Sequence, residues 1–68
     1  MDIHKGDHVL VNVAAFIGSL RRNKQSVTCE VLSLHGDLVE IRTLPPCREF
    51  TLQIERYWLD GKLEPMGV

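Results

Sequence analysis

Three groups of side chains in this sequence have the chemistry to build a site. They are the soft metal ligands His4, His8, His35, Cys29 and Cys47, the turn-adjacent carboxylates Asp7, Asp37 and Asp60, and the cations Arg21, Arg22 and Lys24. A structural zinc ion needs four ligands brought together, usually as closely spaced pairs, and the two cysteines form no Cys-x-x-Cys pair. No metal and no cofactor is expected. Aspartate beside a turn commonly bonds its neighbouring backbone, which accounts for all three carboxylates without general acid–base chemistry. Cys29 falls in phase with apolar neighbours and reads as a small buried hydrophobe, while Cys47 lies in a proline-rich loop with no spacing-linked base. With no Ser-His-Asp or Cys-His arrangement, the sequence predicts a protein that is not an enzyme.

The run Arg21-Arg22-Asn23-Lys24 has a bland reading as a solvated loop tip that keeps the chain soluble. Two binding readings stand beside it. In the favoured one the cations rim an apolar patch of Leu10, Leu32 and Leu34, with Tyr57 pointing outward, and the partner is another protein. In the alternative the cations hold nucleic-acid phosphates, assisted by Arg42 and Arg48, with Tyr57, Trp58 or Phe16 as stacking platforms. A formal net charge of −1 and nine acidic residues, including Glu30 and Glu40, weigh against the alternative. Trp58 and Leu59 are expected to lid the core rather than anchor a ligand, because a tryptophan has so much area to hide.

These groups must be positioned by strands. From Val27 to Thr43 two β-rich runs flank His35-Gly36-Asp37, a polar break whose glycine suits a tight reversal. Val27, Cys29 and Val31 before it, and Val39, Ile41 and Thr43 after it, alternate with polar neighbours, so each run has one inward face. Strict alternation puts Leu32 and Leu34 on the wet face. Upstream, His8 to Val13 reads as a strand with Val9, Val11 and Val13 inward and His8, Leu10 and Asn12 outward. Ala14 to Ser26 is expected to be a long folded-back loop whose Phe16, Ile17 and Leu20 cap one end of the core, with room for one helical turn but, given Gly18, no full helix. Leu44-Pro45-Pro46-Cys47-Arg48 is a connection, since proline supplies no ladder donor. Glu49 to Glu55 is a strand with Phe50, Leu52 and Ile54 inward. Arg56 to Gly61 then forms a tight or 3₁₀ turn closed by its glycine, and Lys62 to Glu64 a short edge strand before frayed terminal residues.

At 68 residues the chain is one domain, with its core expected over about residues 6–64. No window is apolar enough to span a bilayer, and the start MDIHKGD lacks a secretory pattern, so the expected location is the cytoplasm.

The order strand, long loop, strand, tight turn, strand, loop, strand, 3₁₀ turn, short strand resembles the five-stranded SH3-like barrel. The Gly6-Asp7-His8-Val9 opening is similar to the start of many bacterial members. The resemblance implies an all-β barrel and, for function, a small non-catalytic binding or accessory module. A narrower similarity is to the type II dihydrofolate reductases, SH3-like chains that assemble as tetramers around a pore. It rests on the same opening, on Ala14-Ala15-Phe16 and on Leu52-Gln53-Ile54, where the family's glutamine and isoleucine line the pore. The sequence departs from that pattern at Glu55, where the family has tyrosine, and at Leu10, Val11 and Asn12, which stand where it has lysines for an anionic folate tail.

Overall fold

The reversal at Gly36 organises the domain. In the computed structural model, which describes residues 2–63, β2 (Ser26–His35) and β3 (Leu38–Thr43) pair antiparallel across a loop of only Gly36 and Asp37. Gly36 takes φ +62° and no described residue other than glycine has positive φ, so just the first central position is mirror-image, the II′ pattern whose twist matches that of the strands. Cys29, Val31, Val39 and Ile41 emerge on one fully buried surface, as their alternation predicts.

Three further strands complete an antiparallel sheet: β1 (His8–Asn12), β4 (Thr51–Glu55) and β5 (Leu59–Leu63), in the order β4-β3-β2-β1-β5. The domain is all-β. A single 3₁₀ turn at Arg56–Trp58 joins β4 to β5. Pairing does not return from β5 to β4, so the expected barrel is not closed by strand hydrogen bonds and the sheet is open. Val9, Val11, Cys29, Val31, Val39 and Ile41 fill the core, with Ile3, Ile54 and Leu59 around them. Trp58 packs on that cluster beside Leu59, as a lid would. No helix among the described residues is long and apolar enough to cross a membrane.

Two bulges correct the face assignments made by strict alternation. Val31 pairs with Ile41 and Ser33 with Glu40, leaving Leu32 as an extra residue in β2. One inserted residue inverts the parity of everything after it. Leu34 therefore pairs with Val39 and packs against the core, on the opposite face from the one predicted. In β5, Val11 faces Leu59 and Leu10 faces Gly61, so Asp60 is extra. Gly61 accordingly lies inside a strand under the Leu10 side chain rather than closing the preceding turn, and the last strand begins at Leu59.

Other expectations are also revised. Asn12, predicted to face water, is 2% exposed. The segment after β1 contains one helical turn, α1 (Ala14–Ile17), stopped by Gly18 at φ +70°. Ala14 is buried and Phe16 packs on the core, but Ile17 and Leu20 are exposed and cap nothing, because so short a helix turns only one side inward. Phe50 is 46% exposed, since regular pairing of β4 starts after it at Thr51. Glu64, assigned to the last strand, and the frayed end predicted beyond it lie outside the described residues.

Candidate functional site

Asn12 ends β1 with a side chain that has four partners. Its Oδ1 accepts from the Ala14 N–H at 3.1 Å and the Asn23 N–H at 2.8 Å. Its Nδ2 donates to the Asn23 carbonyl at 2.9 Å and to Asp60 Oδ2 at 3.0 Å. One amide thus starts α1, pins the long loop and reaches the β5 bulge. Asp60 also accepts from Ser26 Oγ and from the Arg22 guanidinium, which donates in addition to the Tyr57 carbonyl. The same guanidinium lies 4.7 Å from the Tyr57 ring centre and 5.8 Å from that of Trp58, within cation–π range.

Burial pushes the Asp60 carboxyl upward, but hydrogen bonds from Ser26, Arg22 and Asn12 more than offset this and hold it below the ordinary aspartate value. A folded-state value below the unfolded one gives stability that is present above the unfolded value, near 3.9, and lost as pH falls through the folded one. Thermal melts of the wild-type protein at descending pH are therefore expected to show an acid limb below about pH 4 that is shallower in Asp60→Asn. Identical limbs in the two proteins would remove Asp60 from the acid response.

The predicted partner-binding residues are not gathered on one surface. Arg22 is committed to Asp60 and Tyr57, while Arg21 and Lys24 are exposed and form no ion pair among the described residues. Leu10 is half-buried between Thr28 and Gly61, Leu32 sits at the bulge about 13 Å farther along β2 than Thr28, and Leu34 turns to the core side. Tyr57 is exposed, as predicted, with its ring against Arg22. Of the auxiliary cations, Arg42 pairs with Glu30 across the sheet. Gln53 is exposed on β4 opposite Glu40.

His4 and His8 have the i, i+4 spacing of a helical zinc pair, but a turn through Gly6 separates them and His8 lies in β1. Among the described residues no cluster of three or more His, Cys, Asp or Glu side chains is placed to hold a metal ion. Asp7 acts as the turn residue expected of it, accepting from the His4 N–H at 2.8 Å and pairing with Lys62 at 3.3 Å.

What the alternation did not indicate is a pocket of about 140 Å³ between α1, the start of β2 and the loop joining β3 to β4. Val13, Phe16, Val27 and Phe50 give it apolar walls, and Phe16 meets Phe50 edge-on with ring centres 5.8 Å apart. Thr43, Cys47 and Arg48 complete the lining. The Thr43 hydroxyl donates to the Arg48 carbonyl at 2.7 Å and accepts from the Phe50 N–H at 3.0 Å, fastening the loop that forms one wall. Cys47 is exposed, whereas burial, with a smaller contribution from Cys47, pushes the Cys29 thiol up to about 11.

This is an open all-β sheet domain with an apolar pocket beside α1. Comparison of the chain with protein-family models, with curated proteins and with solved structures found no match.

Proposed function

We propose that this chain is a small non-catalytic module that binds another protein through the pocket between α1 and the β3–β4 loop. The carrying observation is the preformed apolar cavity flanked by an exposed aromatic side chain, Phe50, on a loop fastened by Thr43. An apolar recess with an aromatic wall is the form taken by the centre of many protein interfaces, where one anchor side chain supplies most of the binding energy. The finer fold reading, an SH3-like barrel, draws support from the strand order and from the 3₁₀ turn between β4 and β5.

Peptides selected from a random displayed library, titrated into ¹⁵N-labelled protein, test the reading. Amide shifts are expected to centre on Phe16, Thr43 and Phe50 and to persist at high salt. If selection yields no ligand, or the shifts lie elsewhere, the assignment of this surface fails. Shifts confined to Arg21 and Lys24 on adding a single-stranded oligonucleotide, vanishing steeply with salt, would instead establish the nucleic-acid reading.

A further inference from the structure

The pocket's size and lining narrow what it can accept. A dry cavity of about 150 Å³ takes a benzene-sized guest, so 140 Å³ holds one aromatic ring or one branched aliphatic side chain. Phe16 and Phe50 stand at 88° to each other, so an incoming ring can meet the face of one and the edge of the other. Thr43 offers such a guest no polar group, because its hydroxyl is already bonded to Arg48 and Phe50.

The recess itself presents almost only carbon, but Arg48, which contributes to that lining, carries a cation. Arg48 lines the pocket and forms no ion pair among the described residues, whereas Arg22, Arg42 and Lys62 each have a carboxylate partner. Glu49, next in the chain, is exposed but not part of the lining. A guanidinium beside an apolar recess is complementary to a carboxylate carried next to an apolar group, and its planar fork binds that carboxylate with two parallel hydrogen bonds. A free aromatic acid would fill the recess but leave the exposed part of Phe50 uncovered, which the residues flanking an anchor in a peptide would cover.

We infer that the pocket receives one phenylalanine- or leucine-sized side chain of a partner segment whose neighbouring residues are acidic, with Arg48 holding a flanking carboxylate. This rests on the protein-binding reading above and gives it a partner chemistry.

Three fluorescein-labelled peptides test it by polarisation: one with the centre Asp-Glu-Phe-Glu-Asp, one with alanine for the phenylalanine, and one with lysines for the acids. The 68-residue chain is expected to bind the first about ten- to a hundredfold more tightly than either of the others. Arg48→Glu, a change on an exposed loop, is expected to lose that preference and to gain affinity for the lysine peptide. Alkylation of Cys47 in the wild-type protein, with Cys29 protected by burial, is expected to block the first peptide without any mutation. Absence of binding, equal binding of the acidic and basic peptides, or an Arg48→Glu protein that keeps the wild-type order overturns the inference. Library-selected peptides that shift Phe16 and Phe50 without acidic residues would sink it while leaving the protein-binding reading standing; selected peptides that shift neither residue would sink both.

Discussion

Asn12→Ala is expected to destabilise the domain by about 2–4 kcal/mol. The truncation strands the buried Ala14 N–H at the start of α1 and removes one of three donors to Asp60, while the Asn23 backbone groups, on an exposed residue, can turn to water. A buried polar group left unpaired costs about 1–3 kcal/mol, and the cavity left by the side chain adds to it. A domain of this length has about 3–10 kcal/mol in total, so the loss is a large fraction of what exists. Urea unfolding followed by tryptophan fluorescence measures it through Trp58, and a midpoint within about 1 kcal/mol of wild type would show that the hub is not needed. Asn12→Asp separates geometry from hydrogen-bond polarity. It keeps an acceptor for Ala14 but sets a second carboxylate against Asp60, so its deficit is expected to shrink as pH is lowered from 7 towards 4.

That asparagine also marks where local sequence stops being informative. The II′ hairpin was legible because everything defining it is adjacent in the chain: a glycine for the one positive-φ position and apolar residues at a period of two on either side. Asn12 sits in the same kind of pattern, where a polar residue ordinarily points outward, and apart from Ala14 its partners come from 11 and 48 residues away. No local signal distinguishes it from a surface asparagine. Arg21-Arg22-Asn23-Lys24 was visible as a basic cluster, yet the carboxylate that takes Arg22 out of it lies 38 residues on. The pocket was invisible for the same reason, since residues scattered from Val13 to Phe50 meet there only after β2 and β3 have paired. The two prolines did place Cys47 and Arg48 in a connecting loop, although nothing in their spacing tied that loop to Phe16.

Leu34→Asp is expected to cost about 2–3 kcal/mol, and the same change two residues earlier, Leu32→Asp, well under half of that. Plain alternation from Val31 would put both leucines on one outer face and make the two substitutions nearly equivalent. The bulge breaks the equivalence, because Leu32 and Ser33 together oppose Glu40 and Leu34 is thereby brought into register with the buried Val39. A carboxylate at position 34 loses a half-buried leucine packed on the core, part of the about 1.5–3 kcal/mol that full burial is worth, and adds the cost of a charge with only partial access to solvent. Leu32 is also half-buried but is not among the side chains packed on the core, so a carboxylate there gives up less apolar contact. Parallel urea titrations of the two variants decide the matter. Equal losses, or a larger loss at Leu32, would mean that β2 continues unbulged past Val31, and the face assigned to every residue from Leu32 to His35 would then invert.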